Sequence, residues 1–309
     1  MKFIPKGVIP ASLMAWNADF SIDEAGFRSH LSDIADVDGV TAICVNGHAS
    51  EVTSCSEEEQ TQVLELAVDE IDNKLPIISG VFTDSSLAAA QHAKRWEKLG
   101  ASALLVFPPS VFGKGAQQRP EMVREHYSRI ADATDLPLII FQYPLSGGQG
   151  YTSNTLLALA ESIPSICAIK DYSGDPVLHE QTIRLLQNGP RQVSMLTSHS
   201  AWLLPSLSLG CDGILSGAGS TIAALQVELF NAVKALDLVK ARQINERMNL
   251  VTKHFYKPPF IDQHNRMKEA QVMLGKMNRA VVRPPLMKLT EQEITSIQGG
   301  LIEAGLLKK

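Results

Sequence analysis

The stretch "ICAIKDYSGD", residues 166–175, is where the fold and the chemistry of this chain meet. Ile166–Ile169 is an apolar run that leads straight into Lys170, Asp171 and a turn-like Ser173-Gly174-Asp175. A run without polar alternation reads as a strand covered on both faces. A lysine at its end has two readings. It has surfaced into water, or it is kept partly desolvated, which favours a neutral, nucleophilic amine. The rest of the chain decides between them.

Seven more runs of the same kind surround it: residues 7–13, 39–47, 75–82, 101–109, 136–144, 192–199 and 211–219. The segments between them carry helix signals. "SEEEQTQVLELAVDEID" opens on Ser56 with Glu59 three residues on, a capping-box pattern. "DSSLAAAQHAKRWEKLG" ends on Gly100, a natural stop, and "RPEMVREHYSRIADAT" has Pro120 near its first turn. "SNTLLALAESIP" starts with Ser153 or Asn154 as cap, and "DPVLHEQTIRLLQNGP" stops at Gly189-Pro190. Eight strand–helix repeats over about 220 residues predict an α/β fold, the (β/α)8 TIM barrel. The rival, a doubly wound open sheet, fits less well, because no G-x-G-x-x-G follows the first strand. Residues 1–222 are assigned to the barrel. Residues 223–309 read as a C-terminal helical extension of amphipathic helices with no strand between them, and as a candidate oligomer surface. In a barrel the chemistry sits at the C-terminal strand ends. Lys170 lies at such an end, which favours the desolvated, nucleophilic reading.

The composition excludes several classes. Hydrophobic residues are 45% and charged residues 20%, enough to build a sizeable core. The net charge of −5 gives no nucleic-acid footprint. No segment approaches the ~20 apolar residues of a membrane span. Pro5 and Pro10 and the missing cleavage pattern argue against a signal peptide, so a cytoplasmic protein is expected. Cys44, Cys55, Cys167 and Cys211 are scattered and read as reduced thiols. His92, His126 and His179 fall inside helical segments, and His254 and His264 in the tail. No pair has metal-ligand spacing with a carboxylate partner, so all five read as packing residues and no metal is expected.

With Lys170 placed at a strand end, the sequence resembles the dihydrodipicolinate synthase / N-acetylneuraminate lyase family of class I aldolases. The resemblance spans about residues 7–308. It is carried by "VNGHASEVTSCSEEE" with Gly47 and Glu51, "PIISGV", "FQYP", "AIKDYSGD", "LGCDGILSGAG" and "VVRPPL". It implies a barrel with helical extension, a homo-oligomer (dimer or tetramer), and no metal or organic cofactor. It further implies that Lys170 forms a Schiff base with pyruvate or another 2-oxo acid. The protonated imine is then an electron sink for cleavage, condensation or dehydration at C3.

Several positions depart from the family pattern. Where the family carries Gly-Thr-Thr-Gly-Glu, this chain has Gly47-His48-Ala49-Ser50-Glu51. Backbone donors of that loop remain able to bind a carboxylate, and His48 is a candidate acid/base. Strand five normally ends Tyr-x-x-Pro. Here Phe141 stands in the tyrosine's place, and Tyr143, two residues on and so on the same face of a regular strand, is the candidate proton carrier. The synthase branch's arginine is replaced by Ser146, and the interface tyrosine after strand four is absent from Pro108-Pro109-Ser110. The lyase branch's acidic groups are replaced by Ser198-His199-Ser200. "SGGQG" (146–150) reads as a flexible loop over the mouth or as an ordinary turn. The expected site is therefore catalytic Lys170, Tyr143 and His48, with Gly47, Ala49, Ser50, Phe141, Ser146, His199 and Gly217 binding substrate.

The expected function is a Schiff-base lyase, aldolase or dehydratase, that differs from the lysine-pathway synthase. Alternatives are a catalytically weak binding protein for a 2-oxo or sugar acid on the same fold, 4-hydroxy-tetrahydrodipicolinate synthase proper, and, more remotely, a metal-dependent barrel enzyme.

Overall fold

All eight apolar runs form strands in the computed structural model, which describes residues 3–308. They are β1 (Gly7–Pro10), β2 (Ile43–Val45), β3 (Ile77–Val81), β4 (Ala103–Val106), β5 (Leu138–Gln142), β6 (Ile166–Asp171), β7 (Ser194–Thr197) and β8 (Gly213–Ser216). Every neighbouring pair is parallel, in the order β1-β8-β7-β6-β5-β4-β3-β2. Single bridges, Val8 to Val40 and Ala11 to Cys44, bring β1 against the β2 segment and close the ring. The strands are shorter than the apolar runs that announced them. In the fourth run, Pro108 and Pro109 lack the N–H a ladder needs, and β4 stops at Val106.

The connecting helices are α1 (Glu24–Ala35), α2 (Glu57–Ile71), α3 (Ser86–Lys98), α4 (Pro120–Ala131), α5 (Ser153–Ser162), α6 (Pro176–Thr182) and α7 (Leu203–Ser208). The capping box at Ser56 and Glu59 is formed. Pro120 is the first residue of α4, and Gly100 leaves α3 with φ +96°. The cap of α5 is Thr152, whose side chain accepts from the Thr155 N–H, and not Ser153 or Asn154. Ser, Thr and Asn cap by the same chemistry, so the run "TSN" alone left the choice open.

The tail holds α8 (Gly219–Lys234), α9 (Leu238–Phe255), α10 (Gln263–Met273) and α11 (Glu291–Glu303). Leu236, at φ +59°, and Asp237, which caps Lys240 N, separate α8 from α9. α10 departs from the amphipathic expectation. It buries polar side chains: Asn265, Arg266, Lys268 and Gln271 are all within 1% of full burial. Each has a partner. Arg266 donates to the carbonyls of Phe255, Lys257 and Pro259, Lys268 to Glu51 and to Val281 O, Asn265 to Met287 O, and Gln271 to Ser220 O. A buried cation without partners is costly, so this helix is held where those acceptors converge, over the C-terminal ends of the strands. No helix among the described residues is long and apolar enough to cross a membrane.

Candidate active site

Lys170 is the fifth residue of β6 and pairs in register with Phe141 on β5 and Leu196 on β7. It is 5% exposed. Among the described residues no carboxylate and no hydrogen-bond acceptor meets its amine; Nζ lies 4.0 Å from the centre of the Phe141 ring. An ammonium loses its hydration there and gains little in return. Burial therefore pulls the amine down to about 8, opposed only weakly by Cys44. The neutral, nucleophilic form is thereby accessible near neutral pH.

The next residue, Asp171, points elsewhere. Its carboxylate takes the Ser173 N–H and lies 2.5 Å from His179 Nδ1 on α6, and His179 Nε2 is 2.8 Å from Ser206 Oγ on α7. Burial opposes the charge on His179, but the Asp171 partner more than offsets it and raises the imidazole to about 9. His179 is thus a charged, fully engaged residue and more than the packing group expected from sequence. All three side chains are buried, and they fasten the end of β6 to the two helices that follow it.

Lys170 opens into a cavity of about 550 Å³ at the C-terminal face of the barrel. Six of the residues singled out from sequence line it: Lys170, Tyr143, His48, Ala49, Phe141 and Gly217. Tyr143 stacks on Phe141 at 4.7 Å, so the two share one face of the β5 end, as strand geometry requires. Its hydroxyl oxygen lies 2.5 Å from His48 Nε2. His48 is packed edge-on among Phe107, Phe82 and Phe141. Burial, reinforced by the Lys170 charge, lowers the imidazole to about 4, so it is neutral. Burial also raises the Tyr143 phenol well above its usual value. The pair is therefore a protonated phenol against a neutral imidazole, with one shared hydrogen bond between them.

Four expected residues stay outside the cavity. Gly47 turns the loop and gives its carbonyl to Ser50 N and Val52 N. The Ser50 hydroxyl is turned inward and donates to Ser12 O at 2.9 Å. Ser146 is exposed on a 3-10 turn over Leu145–Gly147. His199 is stacked between Tyr172 (5.4 Å) and Tyr256 (5.5 Å), and lines a separate cavity of about 280 Å³ beside Asp171 and His179. Tyr172 and Tyr256 face the large cavity, so this three-ring stack divides the two. The 146–150 loop is a fastened turn. Gln149 reaches the carbonyls of Pro108 and Pro109, and Gln117 binds those of Leu145 and Gly150. A Cβ on Gly148 would lie 2.4 Å from Gly113 O, which explains a glycine there better than hinge motion does.

The extension supplies a second wall that the sequence did not announce: Phe260, Ile261, Gln263, His264, Arg283, Pro285 and Leu286. Arg283 grips Glu59 with two nitrogens, donates to Phe20 O and Ser54 O, and lies 3.7 Å over the Trp16 ring. Its backbone N–H donates to Glu51 Oε2, while Lys268 pairs with Oε1. Glu51 itself sits at φ +51°, so the loop after β2 is held in a conformation unusual for glutamate by contacts from the tail. The "VVRPPL" motif was the one available sequence signal for this wall. No group of three or more possible metal-ligating side chains occurs among the described residues.

The sequence model of the Dihydrodipicolinate synthetase family matches residues 4–303. The chain belongs to this family. It is similar to the 4-hydroxy-tetrahydrodipicolinate synthase of Chloroherpeton thalassium, 29% identical over 305 residues, which cover 98% of this chain and 96% of the relative. The enzyme of the same name from Pelodictyon phaeoclathratiforme is 31% identical over 247 residues, 80% of this chain and 81% of that one. Among solved structures, a monomeric dihydrodipicolinate synthase variant superposes with a TM-score of 0.90 at 23% identity over 98% of both chains. A prophage protein of the dihydrodipicolinic acid synthase family from E. coli K12, in complex with pyruvate, superposes at 0.89 with 23% identity, over 97% of this chain and 99% of that one. At such identity the structures establish the fold. Against the dihydrodipicolinate synthetase pattern, this member has Phe141 under the lysine amine and a Tyr143–His48 pair beside it.

Proposed function

We propose that this member of the dihydrodipicolinate synthetase family is a Schiff-base-forming lyase acting on pyruvate or another 2-oxo acid through Lys170. The observation that carries this reading is the unpaired, desolvated amine of Lys170 at the floor of the cavity. The neutral amine adds to the C2 ketone and gives a carbinolamine. Its hydroxyl leaves as water once protonated, and the Tyr143–His48 pair is the group in the cavity suited to move that proton. The resulting iminium accepts electrons from a breaking bond at C3, either C3–H or C3–C4. The enamine left behind takes a proton or an electrophile at C3, and water then hydrolyses the restored iminium and returns the amine. The N–H groups of His48 and Ala49 meet no protein acceptor among the described residues, while those of Ser50, Glu51 and Val52 are spent within the loop. The two open donors support a carboxylate site at the mouth of β2.

The intact Tyr143–His48 pair favours catalysis over a binding protein that has lost its proton carrier. The names of the similar proteins favour a second reading, 4-hydroxy-tetrahydrodipicolinate synthase. Against it stands Ser146, exposed outside the cavity where that branch uses an arginine, with no other free cation lining the wall among the described residues; Arg283 is committed to Glu59. The test is borohydride trapping with pyruvate, read by intact mass and peptide mapping. A pyruvyl adduct on Lys170 is expected. Absence of an adduct with pyruvate and with a panel of other 2-oxo acids would sink the lyase reading.

A further inference from the structure

His264 is the one histidine of the tail that reaches the catalytic cavity. It is the second residue of α10, so it stands beside the positive end of an eleven-residue helix. Neither ring nitrogen has a hydrogen-bond partner among the described residues, although the ring is half-buried. Its position is fixed by Gly217 at the end of β8. A Cβ on residue 217 would lie 3.0 Å from His264 Nε2 and 3.6 Å from the Ala49 Cβ. Gly217 has no left-handed φ, so it is space for the imidazole, and not backbone conformation, that this glycine provides. Nε2 thus comes down onto Gly217, next to Ala49, whose N–H and that of His48 are the open donors of the loop. Ala49 itself carries no hydroxyl to complete them.

We propose that His264 is the third donor to the substrate carboxylate, a positioning residue supplied by the C-terminal extension in place of a side-chain donor on the β2 loop. The inference rests on the Schiff-base reading above and names how that same site selects a 2-oxo acid over an uncharged ketone. The imidazole turns Nε2–H toward the carboxylate, which also accepts from the two loop N–H groups. No bond is made or broken by His264.

The experiment compares borohydride trapping of Lys170 by pyruvate and by hydroxyacetone, which replaces the carboxylate with a hydroxymethyl group. The concentration giving half-maximal trapping is read for the wild type, His264→Ala, His264→Gln and Gly217→Ala. For His264→Ala it should rise about 10- to 100-fold with pyruvate, the range of a hydrogen bond to a charged group, and stay unchanged with hydroxyacetone. His264→Gln keeps an N–H donor and should recover part of the loss. Gly217→Ala displaces the ring without removing it and should reproduce the pyruvate-selective loss, so the test survives if His264→Ala does not fold. Equal loss for both ketones, or no loss with pyruvate, overturns the assignment while leaving Lys170 in place. A wild type that traps neither compound nor any of the panel of other 2-oxo acids overturns the Schiff-base reading, and this inference with it.

Discussion

The cavity has two walls of different origin. The barrel wall, Lys170, Phe141, Tyr143 and His48, is built from strand ends and one βα loop, and its polar groups are few and poorly solvated. The extension wall, from Phe260 to Leu286, is reached through a helix whose polar side chains are more deeply buried but each hydrogen-bonded to at least one partner. The same physical cost, taking charge out of water, is handled in opposite ways. Lys268 and Arg266 have carboxylates and carbonyls; Lys170 has the face of a phenylalanine. A buried cation given its partners is structure. One denied them has its neutral form brought within reach of neutral pH.

Replacing Lys170 by Ala attacks the barrel wall where the contrast is sharpest. Turnover and borohydride trapping should both fall to background, with the thermal midpoint preserved or raised, because an unpaired buried amine is removed. A normal rate would end the comparison. Tyr143→Phe should lower kcat by about 10²–10⁴-fold, the range for a lost acid–base group, with KM for the 2-oxo acid little changed. If KM alone moves, Tyr143 binds and does not shuttle protons.

On the other wall, Glu51→Gln strips Lys268 of its counter-charge. Urea unfolding should show a loss of about 3–5 kcal/mol, the cost of breaking one side of a buried pair. The double variant Glu51→Gln/Lys268→Met should recover most of it, which a simple loop defect would not. The smallest effect is in pH. With the Lys170 amine at about 8, the protonated form dominates below that value and cannot attack. The trapping rate should rise about tenfold per pH unit on approach from the acid side and level off above it. A flat profile from pH 6 to 9 would mean that the amine is neutral throughout.

The two walls were also unequally legible. Strand count, order and the placement of Lys170 followed from apolar runs and helix punctuation, because a parallel barrel covers both faces of every strand. Tyr143 was reachable from the two-residue period of β5. The extension was read as helical, but its role as a cavity wall was not legible, since periodicity assigns polar residues to the surface and α10 buries Asn265, Arg266, Lys268 and Gln271. Their partners lie on segments remote in sequence, which no local pattern records. His264 was read as packing for the same reason. Its neighbour Gly217 carried the signal only once the imidazole was seen above it. Ser50 and His199 were placed by their loops, but a loop position does not say which way a side chain turns; one faces Ser12 and the other is clamped between two tyrosines.

The bond between Glu51 and Lys268 spans 217 residues, and that between Glu51 and Arg283 spans 232. At about 5–20 residues per second of synthesis, the β2 loop leaves the ribosome roughly 10–40 s before its lysine does. During that interval the nascent chain holds nearly all of the barrel wall, yet the loop that presents His48 and Ala49 lacks the two contacts that the tail makes with Glu51. A chain that stops before α10 leaves Glu51 without Lys268 and Arg283, and the cavity without His264, Pro285 and Leu286. The stretch from α10 onward thus completes the anchoring of a loop encoded much earlier.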